Sequence, residues 1–463
     1  MKLKSEFLGE EDVHKLMLSL GAFAVIAMLA TGAQSVLTTL IVSHGIDIYA
    51  VSAIGVLFPL ATVYFGFSQL ISIGAASYIS RQLGEGKKGE ILATTIAAYL
   101  MTILISIGLM GVTWLFKDFI LEFLGAQDKV LEFARRYLSA FIFSIPFTAM
   151  VLLSSAIFRS YGKMKLSMLV ILIEATLIVA LDYVTIYWLN LGIAWIGWTV
   201  AIAGFLTTLI GIFLLVRVIL FPARINSETK SAWHFKTLFK FDLLSVKGIL
   251  LIGISALGRS LAGAIFSLVL NRTVTAIGGE DALAAVGTVN RAALFLIFAV
   301  MGVNQAMQPI VSFNFTAGKG ERVKKALRYA VIYATVIGVI GSLLGLFFPS
   351  QIAEVFTKDK EVIDDVAQVF RMQMILFVSI GVQTLAATYY QAIGRARMSF
   401  FLSVFKPLVI LMPLVYFLPR MLDSGVLAIW WAFPVADVAF TLICVFVLIS
   451  GVKKLECSKM EAV

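Results

Sequence analysis

The sequence predicts an all-α membrane protein with twelve transmembrane helices arranged as two pseudo-symmetric six-helix bundles. Three observations predict this fold class. Of the 463 residues, 60% are hydrophobic and 14% are charged, with a mean hydropathy of +0.98, a balance that a soluble domain could carry only by exposing large apolar patches. The apolar residues fall in about a dozen runs near the roughly 20 residues that a helix needs to cross a bilayer. Landmarks also recur: Gly55 and Gly287, Glu122 and Glu354, and Gly162 and Gly394 are each 232 positions apart by subtraction, and Gly84 and Gly318 are 234 apart. So constant an offset reads as an internal duplication.

The duplication sets the domain organisation. Residues 1–216 form an N-terminal bundle, 217–247 a cytoplasmic basic linker and 248–463 a C-terminal bundle. Helices are expected near 16–42, 54–79, 91–116, 137–158, 166–189, 193–216, 248–271, 283–313, 329–349, 370–393, 399–419 and 426–450. The run from Leu16 to Val42 is too long for a signal peptide, so the first helix is expected to remain. With the N-terminus inside, the inner segments hold 25 of the 37 Lys and Arg, the outer segments 9, counting Arg371 at the outer end of the tenth helix, and the remaining helix positions 3 (Arg259, Arg291 and Lys406). Cytoplasmic loops collect such bases, which places both termini on the cytoplasmic side of the cell membrane. The same bias explains the net charge of +10. The expected partner is therefore the lipid bilayer and not a nucleic acid.

Between the helices, SRQLGEGKKGE (Ser80 to Glu90) and NFTAGKGERVKK (Asn314 to Lys325) repeat one design of helix end, glycine and bases. The outer stretches Phe116 to Arg136 and Phe348 to Arg371 mix acids and bases at helical spacing and read as short amphipathic helices. In the linker, Phe235, Leu238, Phe239 and Phe241 among Lys236, Lys240 and Asp242 suit an interfacial helix on the headgroups. Cys444 lies in the last apolar run and Cys457 in the tail, so they differ in depth and form no disulfide framework.

A charge at the bilayer centre costs a few kcal/mol or more, which makes each intramembrane ionisable residue a candidate. The acids are Glu174, Asp182 and Asp437. Glu174 and Asp182 share the fifth helix about 12 Å apart along its axis and are placed to be steps on one path. Asp437, beside Pro434 in the twelfth helix, lies at the depth of Arg259 in the seventh, so these two are expected to form an intramembrane charge pair. Lys406 is expected to snorkel to the inner face. Uncharged polar stripes occupy one helix face each: Thr31, Gln34 and Thr38; Gln305, Gln308 and Ser312; Thr384, Thr388 and Gln391. They serve either helix packing or a cavity for an amphipathic ligand. Pro146, Pro309 and Pro434 lie in or near helix middles and allow bending. The three histidines, His14, His44 and His234, sit near helix ends or in the linker without acids at metal-ligand spacing, so neither an enzyme nor a cofactor or metal site is expected.

The stretch GVNQAMQPIVSFNFTAGKGERVKKAL (Gly302 to Leu327) closely resembles the repeat signature of the multidrug and toxic compound extrusion (MATE) family, in its bacterial and archaeal branch of export proteins. LVLNRTVTAIGGEDALAAVGTVNR (Leu268 to Arg291), YYQAIGRARMS (Tyr389 to Ser399), LDYVTIY (Leu181 to Tyr187) and IWWAFPVAD (Ile429 to Asp437) resemble further family segments in the expected order. The resemblance implies a V-shaped pair of bundles around a central cavity. It implies export of drugs, toxic organic cations or related metabolites, small molecules of amphipathic or cationic character, in exchange for protons or sodium ions, by a protein expected to be a monomer. Asp182 matches the fifth-helix aspartate that takes up and releases the driving proton in proton-coupled members. The chain departs from the family where many members have a first-helix aspartate, since Thr38 stands nearest that place, and where an asparagine precedes Asp182 by one turn, since Ile178 stands there. The seventh- and tenth-helix acids of sodium-coupled members are missing, with Gln373 and Gln383 the only comparable oxygens in the tenth. Protons are therefore the expected coupling ion over sodium. The alternative is a flippase for lipid-linked sugar precursors from the same superfamily, which must hold diphosphates with Arg259, Arg291 and Lys406.

Overall fold

A computed structural model describes residues 7–87, 90–217, 243–354, 360–422 and 426–460. The expected interfacial helix of the linker lies outside the described residues. Among the described residues, eleven helices are long and apolar enough to cross a membrane, and one bent pair brings the number to twelve. In chain order the spans are α1 Val13–Gly45, α2 Phe58–Gly84, α3 Ile91–Leu115, α4 Asp128–Ser160, α5 Met164–Trp188, α6 Ile193–Leu215, α7 Leu243–Gly279, α8 Ala293–Thr316 and α9 Gly320–Phe347, then α10 (Val366–Met374 with Phe377–Ala392), α11 Ala396–Met421 and α12 Val426–Lys453.

Local chemistry sets the helix ends. Asp12 caps α1 by accepting the Lys15 backbone N–H at 3.1 Å, which supplies one of the donors that a helix start leaves unpaired. The chain turns after α2, α4, α8 and α10 at Gly86, Gly162, Gly318 and Gly394, all with φ between 68° and 77°, a region that L side chains avoid. These glycines expose the duplication directly: 318 − 86 and 394 − 162 both equal 232. The counterpart of Gly318 is thus Gly86 and not Gly84, which restores one offset throughout. α7 and α8 form one continuous helical run broken at Gly279, where φ is 72° and ψ is −163°.

The outer amphipathic stretches are more closely joined to the spans than their charge pattern suggests. Lys117–Phe123 is a separate short helix, but Asp128–Phe141 passes through a 3-10 turn, Ile142–Ser144, into Ile145–Ser160. Its buried side, Ala134, Tyr137 and Leu138, continues the apolar face of α4, while Lys129, Arg135 and Arg136 stay in solvent. In the second repeat the corresponding pieces of α10 are bent by 44°.

The chain clusters into two compact units. Unit 1 takes the short helix Phe7–Glu10 and the chain from Ile26 to Leu257; unit 2 takes Glu11–Val25 and the chain from Gly258 onward. Relative to the halves 1–216 and 248–463, the start of α1 packs in unit 2 and the start of α7 in unit 1. Close approach of backbones explains both. A Cβ on Gly253 of α7 would stand 1.8 Å from the Leu70 carbonyl oxygen of α2, and one on Gly302 of α8 would stand 2.6 Å from the Val25 Cα of α1. In lipid, where hydrocarbon neighbours are as apolar as the helix itself, such small-residue contacts are what hold helices together. The unit 1 core includes Leu121, Leu138, Ile142, Ile186 and Ile196; that of unit 2 includes Leu270, Phe370, Met374, Phe377 and Trp430. Exposed Leu104, Ile107, Trp114, Phe213, Leu442 and Phe446 face outward, as helices bathed in acyl chains require.

Candidate functional site

Asp182 is fully buried in unit 1. It lies in the last turn of the α-helical part of α5, which ends at Tyr183, and a π-helical turn, Val184–Trp188, follows within the same span. π turns concentrate at functional sites because the extra residue frees a backbone carbonyl and re-aims a side chain. Thr38 of α1 donates its hydroxyl to Asp182 Oδ2 at 2.7 Å, and Thr199 of α6 donates to Oδ1. Gln34 in turn donates its amide N–H to Thr38 Oγ1 at 3.3 Å. Three spans therefore converge on one carboxyl group, and no ion pair to it exists among the described residues. A buried charge held only by neutral donors is costly.

The hydroxyls give the site two settings. Thr199 Oγ1 lies 2.8 Å from the Ile196 carbonyl as well as against Asp182, and it has a single proton. With Asp182 ionised, that proton points to the carboxylate; with Asp182 protonated, Thr199 can accept from the carboxyl and turn its own proton to Ile196. No side chain has to be displaced for the exchange.

Glu174 lies on the same helix and is 9% exposed, and its Oε1 has no hydrogen-bond partner among the described residues. The structure does not bring it to Asp182, since eight helical residues separate them by about 12 Å along the axis. Nearer the end of α4, Arg159 is 5% exposed and donates to Ser155 Oγ at 2.9 Å and to Ser167 Oγ at 3.4 Å.

In unit 2 the expected pairing of Arg259 with Asp437 is not formed. Asp437 is bonded instead by the Lys406 ammonium of α11 and by the Gln383 amide of α10 at 2.9 Å. Lys406 also donates to Gln383 Oε1 at 2.9 Å. Arg259 is half-buried and makes no ion pair among the described residues. Depth along the membrane normal matched Arg259 to Asp437, but the partner of a buried charge is chosen by rotation about the helix axis as well. The expectation that Lys406 snorkels is corrected by the same contact. As the eleventh residue of the helix that starts at Ala396, Lys406 lies about 15 Å from that start, beyond the reach of its stem.

Three threonines of the polar stripes bond to carbonyls of their own helices. Thr31 donates to the Ala27 carbonyl at 3.1 Å, Thr384 to Ile380 at 2.9 Å and Thr388 to Thr384 at 2.9 Å. Ser312 of α8 donates to the Ala392 carbonyl of α10 at 3.1 Å, which is a packing contact. Gln308 and Gln391 are buried and Gln305 is half-buried. The stripe of Gln34 and Thr38 is wired to the charged group Asp182. Thr199 and the bridging role of Gln383 were not singled out from the sequence; nor was Asn304, buried with both side-chain polar atoms unpartnered among the described residues.

The profile of the MatE family matches the chain twice, over residues 19–184 and 256–417. The chain belongs to this family of multidrug and toxic compound extrusion transporters. The double match repeats the duplication seen in the turns. The chain is 24% identical to the multidrug export protein MepA of Staphylococcus aureus, with 93% of this chain and 92% of that protein covered. It is 22% identical to MepA of Staphylococcus haemolyticus, covering 99% and 98%. A MOP superfamily transporter from Pyrococcus furiosus has the same fold, with a TM-score of 0.89 at 18% identity over 98% of this chain and 99% of that one. So does a variant of the Vibrio cholerae MATE transporter VcmN, with a TM-score of 0.86 at 16% identity over 96% and 97%. The protein is thus a multi-pass membrane efflux transporter of the MATE family and not an enzyme. Asp182 falls within the first family match and Lys406 within the second, whereas Asp437 lies beyond both.

Proposed function

We propose that this MATE transporter is a proton-coupled antiporter that exports amphipathic or cationic drug-like molecules across the cell membrane, with Asp182 as the group that takes up and releases the driving proton. The observation that carries this reading is the Asp182 carboxyl, fully buried and bonded to two threonine hydroxyls from other spans. A proton arriving from outside neutralises this centre and weakens its hold on a cationic substrate; release to the cytoplasm restores both. Glu174, buried on the same helix, is the second titrating group on the inner part of the path. The printed names of the relatives, multidrug export proteins, support a drug-like substrate class. The excess of basic residues in alternate loops supports cytoplasmic termini, and a monomer is sufficient because each unit holds its own buried site.

The flippase alternative is weakened by Lys406. Its ammonium is committed to Asp437 and is not free to hold a diphosphate. The test is efflux of a fluorescent organic cation from proteoliposomes under an imposed proton gradient and then an imposed sodium gradient. Asp182→Asn is expected to lose gradient-driven efflux while retaining substrate exchange, and Glu174→Gln to slow it. Proton-driven efflux at the parental rate in Asp182→Asn overturns the mechanism.

A further inference from the structure

Both units bury a carboxylate, but among the described residues only that of unit 2 has a cation paired with it. Lys406 is the eleventh residue of the helix beginning at Ala396, and Glu174 is the eleventh of the helix beginning at Met164. The differences 406 − 174 and 396 − 164 both equal the repeat offset of 232. One position of the duplicated fold therefore holds an acid in unit 1 and a base in unit 2.

The surroundings of the ammonium resemble a coordination shell. Asp437 Oδ1 and Gln383 Oε1 touch Nζ directly, the latter at 2.9 Å. Behind them, Gln383 Nε2, with two N–H groups to give, lies within hydrogen-bond distance of Asp437 Oδ1 at 2.9 Å, Thr441 Oγ1 at 2.9 Å and Ser379 Oγ at 3.0 Å. The two oxygens on Nζ, a carboxylate oxygen from α12 and an amide oxygen from α10, are of the kind that a hard cation takes, and the two hydroxyls lie behind them on the amide nitrogen. Lys406 enters this shell from the first residue of a π-helical stretch, Lys406–Leu411, and Pro407 removes the N–H of the next residue. The helix is locally shaped to aim one side chain inward.

We propose that Lys406 is a tethered cation that permanently fills a monovalent-cation site in unit 2, so that this unit takes no coupling ion, and that removing the ammonium opens the site to sodium. The claim is independent of which ion Asp182 exchanges, because it concerns the other unit. It makes Lys406 a specificity-determining residue: it confines ion exchange to unit 1. A salt bridge that merely packs unit 2 predicts no such ion response.

The experiment uses the full-length protein in detergent and reads thermal unfolding in sodium chloride against choline chloride at equal ionic strength, together with radiosodium binding. All variants carry Asp182→Asn, which removes the unit 1 carboxylate. With Lys406 present, no sodium-specific shift and no radiosodium retention are expected. Adding Lys406→Met, which keeps the length of the chain without its charge, is expected to lower Tm by several degrees in choline, with much of the loss recovered in sodium and one ion retained per chain. Adding Asp437→Asn as well is expected to abolish the sodium response while raising Tm in choline. Equal Tm values for Lys406→Met in the two salts, without radiosodium retention, overturn the proposal in favour of a structural ion pair. So does sodium binding with Lys406 intact that Asp437→Asn removes, and that arm can be read even if Lys406→Met fails to fold.

Discussion

Replacement of Gly253 by alanine tests how the start of α7 is held in unit 1. An added Cβ would stand 1.8 Å from the Leu70 carbonyl oxygen and 2.7 Å from its carbon, and across the same crossing a Cβ on Gly74 would stand 2.2 Å from the Ile249 oxygen. Ordinary contact begins near 3.4 Å, so the two backbones must part by about 1.6 Å (3.4 − 1.8) to admit one methyl group. The obstacle is backbone on both sides and cannot rotate away. Overpacking costs about 1–3 kcal/mol, and the rigid neighbour puts Gly253→Ala at the upper end. At about 2–4 °C per kcal/mol for a unit of this size, Tm falls by about 6–12 °C. Gly108→Ala and Gly111→Ala on α3 are the controls, since nothing lies within 4 Å of either added Cβ. There the better helix propensity of alanine, worth about 1 kcal/mol, leaves stability unchanged or raised. The assay is fluorescence-detected thermal unfolding of purified variants, with efflux in proteoliposomes alongside. A Gly253→Ala protein with the parental Tm refutes the reasoning, because the close approach is then absent or soft.

Three further outcomes follow from named contacts. Thr199→Ser keeps the hydroxyl on Asp182 and is expected to preserve proton-driven efflux, whereas Thr199→Val, of similar shape, is expected to slow it about tenfold or more, since a hydrogen bond to a charged group is worth about 1.5–3 kcal/mol; initial rates in proteoliposomes distinguish the two. The double variant Ser155→Ala/Ser167→Ala takes from the Arg159 guanidinium both of its hydroxyl acceptors and is expected to destabilise the protein by about 2–4 kcal/mol, read as a lower Tm. Arg135→Ala breaks an exposed pair with Asp118 and is expected to change stability by less than about 1 kcal/mol, so a large loss there shows that this outer surface is more tightly packed than its exposure indicates.

Much of the architecture was legible in the sequence because it rests on quantities that sequence carries directly: run length, composition and repeat offset. The twelve spans and the turn glycines follow from these. The site was legible in part. A buried acid announces itself by residue type, which singled out Asp182, and the missing first-helix acid put Thr38 at its side. Thr199 gave no such signal, since the contact across the α5–α6 turn depends on how the two helices rotate against each other and no period records that. The partner of Asp437 was misread for a related reason, as depth was used where azimuth decides. A signal was nevertheless available. Subtracting 232 from Lys406 lands on Glu174, and a base opposite an acid in equivalent places already sets Lys406 apart from a snorkelling residue.

That opposition bears on how a duplicated transporter becomes asymmetric. Two copies of one bundle begin with the same capacity to bury a charge, and each buried charge needs a neutralising partner. In unit 1 the partner of Asp182 is left to hydroxyls, which can solvate a carboxylate but cannot cancel it. In unit 2 an ammonium cancels Asp437 within the chain. If both carboxylates exchanged an ion, the cycle would need two ions and four charge states to stay in step, and any mismatch would leak ions without moving substrate. Fixing the charge of one unit reduces the cycle to a single switch. On the reading proposed here, Asp182 is that switch, and the Lys406 pair gives unit 2 a constant electrostatic state throughout the cycle.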